Sequence, residues 1–254
     1  MMRKKWIILV LAVLCIAAVF AGCGGGVEIS TEPVETADPE LWRSNVLGAD
    51  EIPEEYDGVF FDYPVFGSDY QRSQIGSVTI LDTLADLPED AWDVSEAGNG
   101  TVMAWVEPSG GLYDLYIGAE GGVSAGSSCA YLFAGYQNAV SITLGDHFAT
   151  YDAMDMESMF HYCESLTELT LGGHFDTSKV QDMNSMFHFC ESLASLTLGE
   201  RFDTASVQDM SYMFARCLSL TELPLGDRLV TANADTTEMF FECPAGDDYQ
   251  HLLH

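Results

Sequence analysis

Residues able to do chemistry occur in two settings, a serine between glycines and a set of cysteines on a fixed beat. Gly122-Val-Ser124-Ala-Gly126 satisfies the G-x-S-x-G pattern, in which a serine nucleophile is exposed at a sharp strand-to-helix turn. That chemistry also needs Asp and His partners on a parallel α/β sheet. Here the phrase lies in a Gly-rich connection, so no catalytic role is assigned to Ser124. His161-Tyr-Cys163 and His188-Phe-Cys190 each bring an imidazole close to a thiol, a pairing that could ligate a metal. The next two copies read Ala215-Arg-Cys217 and Phe241-Glu-Cys243. The His drifts while the Cys stays, so the cysteines are expected to form a buried ladder of small apolar side chains, with no metal and no cofactor. No paired-carboxylate site, P-loop or dinucleotide fingerprint stands out either, and the expectation is a protein that is not an enzyme.

The beat itself organises the chain. Met159-Phe160, Met186-Phe187, Met213-Phe214 and Met239-Phe240 recur at intervals of 27, 27 and 26 residues. Cys163, Cys190, Cys217 and Cys243 each follow four residues after the Met, and Ile142-Thr-Leu-Gly, Leu169-Thr-Leu-Gly, Leu196-Thr-Leu-Gly and Leu223-Pro-Leu-Gly recur at 27. A period in this range falls in the window of leucine-rich repeats. One copy cannot fold alone. Its apolar set is Leu166, Leu169, Leu171, Phe175, Val180, Met183, Met186, Phe187 and Cys190, embedded in Ser, Thr, Glu, Asp, Asn and Gly. Burying each is worth roughly 1.5–3 kcal/mol, whereas ordering the backbone costs roughly 1–2 kcal/mol for every residue. Stacking copies is what makes a continuous core.

Elements that must position these residues follow from spacing. Ser165 to Leu171 alternates as a short strand, and Gly172-Gly173 breaks it. Asp182 to Cys190 places Met183, Met186, Phe187 and Cys190 at helical intervals. Asp155, Asp182, Asp209 and Asp235 stand where an N-cap would. The expected fold class is therefore an α/β repeat solenoid of leucine-rich-repeat-like coils, each a short strand plus a short helix, with a β-rich N-terminal cap.

The phrase Phe175-Asp-Thr-Ser-Lys-Val-Gln-Asp-Met-Asn-Ser-Met-Phe-His-Phe-Cys-Glu-Ser-Leu resembles the repeat of the BspA-like leucine-rich-repeat surface proteins of bacteria. Phe202-Asp-Thr-Ala-Ser-Val-Gln-Asp-Met-Ser-Tyr-Met-Phe matches it again, and Ala91-Trp-Asp-Val-Ser with Leu115-Tyr-Ile-Gly-Ala-Glu-Gly-Gly-Val resembles the segment leading into such an array. The resemblance implies a non-enzymatic surface protein, in a family some of whose members adhere to host or matrix proteins.

Five regions are expected. Residues 1–22 read as a signal peptide, with Arg3, Lys4 and Lys5 ahead of an apolar run from Trp6 to Ala21 that is short of the ~20 residues a bilayer needs. Phe20-Ala-Gly-Cys23 resembles the lipobox of bacterial lipoproteins, with Phe20 where Leu is usual, and this implies lipid attachment at Cys23. Residues 23–40 are the lipidated N-terminus and a flexible tether whose ends would sit about 20–25 Å apart. Residues 41–136 form a β-rich N-terminal capping region, or else an independent ligand domain. It contains a strand from Ser77 to Leu84 and a hairpin of Thr101 to Val106 with Leu112 to Gly118. Tyr131-Leu-Phe133, 27 residues before Met159-Phe160, begins the array with a degenerate coil. Residues 137–243 hold about four repeats, and 244–254 a C-terminal cap or truncated end in which Tyr249, Leu252 and Leu253 fold back. With Cys15 and Cys23 set aside, five cysteines remain, an odd number that favours free thiols over disulfides between coils.

Composition narrows the partners. With 9 basic and 40 acidic residues the net charge is −31, and beyond the signal segment Lys179 is the only lysine. Such a field repels phosphate backbones, so no nucleic-acid partner is expected. The expected partners are an extracellular or host protein, and a membrane held through the N-terminal lipid. A basic partner or loosely held calcium is compatible with the acids. Two stripes are candidates for recognition. Opposite the Leu ladder stand Ser141 and Thr143, Glu168 and Thr170, Ser195 and Thr197, and Glu222 beside Pro224. The other stripe is His161, Tyr162, His188, Phe189, Arg216 and Phe241, an aromatic patch unless these rings pack between coils. The expected function is a lipid-anchored adhesion or protein-interaction module on the cell surface. A passive coat or spacer, a glycan-binding variant and, least favoured, a hydrolase are the alternatives.

Overall fold

The computed structural model describes residues 44–48, 63–225 and 228–253. The expected signal peptide, the lipid-attachment residue Cys23 and the tether lie outside the described residues.

Each strand of the repeats is short because only its middle residue is apolar and inward. β7 (Ser141–Thr143), β9 (Glu168–Thr170) and β10 (Ser195–Thr197) bury Ile142, Leu169 and Leu196 and turn the flanking polar residues outward. They stack parallel and in register, Leu196 opposite Leu169 and Ser141 opposite Glu168. The ladder continues into the N-terminal region. β2 (Ile75–Leu81) pairs parallel with β7, Val78 opposite Ile142, and on its other side with β5 (Leu112–Gly118). β4 (Met103–Ser109) runs antiparallel to β5 across Gly110 and Gly111, both at positive φ as a tight reversal requires, and β3 (Trp92–Asp93) closes the edge. The order of this seven-stranded sheet is β10-β9-β7-β2-β5-β4-β3. A smaller parallel sheet joins β1 (Val46–Leu47), β6 (Val123–Ala125) and β8 (Phe148–Ala149). The hairpin is where the alternation placed it. On β4 the inward set includes Ala104, and on β5 it is Leu115 and Ile117.

The fold class read from the spacing is corrected by the structure. The chain is mostly β-sheet and turn, not an α/β solenoid of strand-plus-helix repeats, and no α-helix occurs among the described residues. Asp182 to Cys190 is a run of turns. The amides of Met186, His188 and Cys190 bond to the carbonyls three residues back, at 3.2, 3.0 and 3.2 Å. Those of Met183, Ser185, Phe187 and Phe189 instead cross to Asp209, Ser211, Met213 and Ala215 in the next coil, at 2.9, 2.9, 2.9 and 3.1 Å. Ser185 and Phe189 sit at φ 55° and 60°, which no right-handed helix accepts. Apolar residues at i, i+3, i+4 and i+7 fit successive three-residue turns as well as a helix, and the next coil supplies the amides with nearer partners. The aspartates change role accordingly. Asp155, Asp182, Asp209 and Asp235 form single parallel bridges from coil to coil, and each carboxylate accepts from the amide two residues on.

Inside, like stacks on like. The rings of Phe133, Phe160, Phe187, Phe214 and Phe240 follow one another at centroid spacings of 5.6, 5.5, 5.3 and 5.3 Å, and Tyr249 adds a sixth ring at 5.7 Å. Phe133 thus opens the array in the position its spacing indicated. Buried Thr177 donates to the carbonyl of Asp203 and accepts from the same residue's amide, both at 2.7 Å. Thr150 and Thr204 repeat the exchange with Asp176 and Val230. Arg72, fully buried, donates to the carbonyls of Tyr131 and Ala134 and lies over the Tyr136 ring, fastening the segment before β2 to the first coil. At the far end a 3-10 segment, Pro244–Leu252, turns the Tyr249 hydroxyl onto the carbonyl of Leu223. Among the described residues the chain has no helix long and apolar enough to cross a membrane.

Because Phe187 is stacked on both sides, Phe187→Ala should cost roughly 3–5 kcal/mol and Phe187→Leu clearly less. Urea denaturation followed by circular dichroism measures both.

Candidate functional site

Two outward stripes were candidates, and the register decides what each brings together. Along the seven-stranded sheet, the residues flanking buried Val78, Ile142, Leu169 and Leu196 fall into two rows. One row is Ser77, Ser141, Glu168 and Ser195; the other is Thr79, Thr143, Thr170 and Thr197. Thr143, Glu168, Thr170, Ser195 and Thr197 are exposed, and Ser141 is half-buried. Neighbouring rungs of such a ladder lie about 4.8 Å apart, so the rows form a rigid, closely spaced polar face. Glu222 is exposed but stands beyond β10, outside any strand. The face continues across β2 onto β5 and β4, outside the repeats. Asp114 pairs with Ser77 and Glu107, and the Ser77 hydroxyl donates to the Asp114 carboxylate at 2.7 Å. Tyr116 stacks on Trp105 at 5.5 Å. Burial, with the charges of Glu107 and Asp114, holds the Tyr116 phenol above its ordinary pKa. Two strands carrying an aromatic opposite an aromatic and an acid opposite an acid were the available signal.

The second stripe is a stack. His161 lies face to face with His188 at 4.9 Å and with Tyr162 at 4.4 Å; Tyr162 lies on Phe189 at 4.5 Å, and the Arg216 guanidinium covers Phe189 at 5.2 Å. Arg216 also joins Glu191, at 3.0 Å, to Glu242. These side chains pack between adjacent coils; only Phe241 stands well out, 48% exposed. Burial, then the charge of His188, pushes His161 down to about 3, and burial with Arg216 pushes His188 down to about 4. Both imidazoles are neutral at pH 7. Among the described residues no three His, Cys, Asp or Glu side chains converge as a metal site would require.

The cysteines line the core as free thiols. The Sγ atoms of Cys163, Cys190 and Cys217 donate to the carbonyls of Phe133, Phe160 and Phe187 in the preceding coil, at 3.1, 3.2 and 3.2 Å. Burial raises Cys129 and Cys163 to about 12, and Cys190 and Cys217 well above the ordinary thiol value. Thiolate chemistry is suppressed there. Ser124 lies within β6, buried, its hydroxyl directed to the carbonyl of Ala125 at 3.2 Å. The G-x-S-x-G phrase therefore occupies a strand, not a strand-to-helix elbow.

Parallel rungs sharing one core, with amides crossing from each coil to the next, define a stacked-repeat β protein. Residues 127–250 match the family described as Mycoplasma protein of unknown function, DUF285. The match begins just before the Ser128–Asp155 bridge and ends within the C-terminal 3-10 segment, so it covers the stacked repeats. No curated protein and no solved structure matches the chain.

The depressed histidines link stability to acid. The unfolded chain takes up protons as pH falls below about 6.5 while folded His161 stays neutral, so its contribution is complete above pH 6.5 and is lost as pH falls toward its folded value. The slope is at most about 1.4 kcal/mol per pH unit. His161→Phe should flatten the fall in urea-unfolding free energy between pH 6.5 and 4 relative to the parent. A second expectation concerns Cys129, Cys163, Cys190, Cys217 and Cys243, which should resist a thiol-specific reagent in the native protein and all react in guanidinium.

Proposed function

We propose that the protein is a non-catalytic recognition module displayed on the cell surface, and that the outward face of the seven-stranded sheet binds an extracellular protein. The observation that carries this reading is the in-register double row of half-buried Ser141 and exposed Thr143, Glu168, Thr170, Ser195 and Thr197. A surface built on backbone ladders is ordered before it meets a partner, so little side-chain or loop freedom is lost on binding. Excess negative charge favours a basic partner and faster encounter with it. The likeness of the repeats to BspA-like surface proteins supports an adhesive role. The lipobox-like Phe20-Ala-Gly-Cys23 supports a lipid anchor at Cys23 that holds the repeats outside the membrane.

Glu222, beyond the last strand, contributes at the rim of the face. A passive coat is the competing reading, and it needs no partner at all.

The two separate in one binding series. Immobilised parent protein should take up basic proteins from host-surface or matrix fractions saturably, whereas a Thr143→Lys, Thr170→Lys, Thr197→Lys variant should bind at least about tenfold more weakly, ~1.4 kcal/mol. Those three side chains are exposed, so melting curves should coincide. Equal retention by parent and variant would remove the sheet face from the function. A folded parent with no saturable ligand would leave the coat.

A further inference from the structure

A second surface feature stands apart from the sheet face. A cleft of about 360 Å³ opens between the 64–71 loop and strands β3 and β4, lined by Gly67, Ser68, Asp69, Tyr70, Asp90, Trp92 and Val106. The loop is closed by antiparallel pairing of Pro64 with Gln71 and by hydrogen bonds from Val65 to Tyr70 and from Ser68 to Val65, at 2.8 and 3.0 Å. Phe66 and Gly67 make its reversal at φ 46° and 69°. Tyr70 is thereby laid along Trp92, 6.1 Å between centroids and 24° between planes, while Tyr113 meets it edge-on at 4.9 Å. The rings form one continuous aromatic wall that is already in place.

The polar groups at this wall are unequal. Asp69 and Asp90 are exposed, and among the described residues neither carboxylate is engaged in a hydrogen bond or ion pair. The indole N–H of Trp92 is buried without an acceptor, so the cleft does not meet it as a donor. No Lys, Arg or His lines the cleft. What remains is aromatic surface, an apolar floor at Val106, two carboxylates, and the hydroxyls of Ser68 and Tyr70. An anion would be repelled, and a neutral polyol would find few donors. A compact organic cation satisfies both the ring quadrupoles and the carboxylates.

We infer that the cleft between the 64–71 loop and β3–β4 is a binding site for an alkylammonium group, with Tyr70 and Trp92 as the aromatic wall and Asp69 and Asp90 as counter-ions. The group can arrive on a choline-type head group or on a lysine side chain. This site is separate from the sheet face and does not depend on it.

Titration calorimetry on the full-length chain tests the assignment with choline, with Nα-acetyl-lysine methylamide whose side-chain ammonium is free, and with the uncharged tert-butyl isostere of choline. The expected result is binding of an ammonium probe with a dissociation constant on the order of 1 mM or tighter. It should weaken about tenfold in Asp69→Asn/Asp90→Asn and weaken again as added salt screens the carboxylates. A preference for choline points to a small head group, and a preference for acetyl-lysine methylamide to a protein side chain. Both Asp positions are exposed, so that variant should melt with the parent. Tyr70→Leu reports separately on the ring. No heat with either ammonium probe, equal binding of the uncharged isostere, or unchanged affinity in the double variant would each overturn the assignment.

Discussion

Everything in the repeats depends on amides that leave their own coil. At Met183, Ser185, Phe187 and Phe189 the N–H groups point to carbonyls of the following coil, and the residues between them close short turns. Each coil therefore satisfies its buried backbone only with a neighbour in place. The left-handed residues within the turns cost about 1–2 kcal/mol each. Stacked rings and the bonds between coils offset that cost. A lone unit would keep the strain and lose the compensation.

Small side chains protect this arrangement. A Cβ at Gly199 would come within 2.8 Å of the Gly172 carbonyl, so at this glycine after β10 the backbones of successive coils approach closely. Buried Thr150, Thr177 and Thr204 serve the opposite corner, each exchanging two hydrogen bonds with the coil ahead. Aromatic rings, thiols and threonines thus form parallel columns, and each column needs its own residue type once per repeat.

The period and the core were plain in the sequence because burial demands the same residue at the same place in every copy. Leu166, Leu169, Leu171, Phe175, Val180, Met183, Met186, Phe187 and Cys190 are all interior, as their spacing indicated. The conformation joining them was not legible. Positions 183, 186, 187 and 190 serve a helix and a chain of turns equally well, and the left-handed residues are Ser185 and Phe189 rather than an announcing glycine. Thr177 reads as surface until its partner in the next coil is known. Of the candidate face, the rows from Ser141 to Thr197 were visible because the repeat carries them. Trp105, Tyr116 and the Tyr70–Trp92 wall lie where no period exists, and only tertiary pairing brings them together. Arg72 escaped for the same reason.

The six-ring column also bears on how such a protein can change over generations. Each of its inner members meets one ring above and one below, at nearly constant spacing. A gene that gains or loses one whole repeat in frame would reproduce every one of those meetings, whereas a gain of a partial repeat would break the register of the column. Length is thus a trait this architecture can vary in whole steps, and the reach of its outer face is open to selection without redesign of its interior.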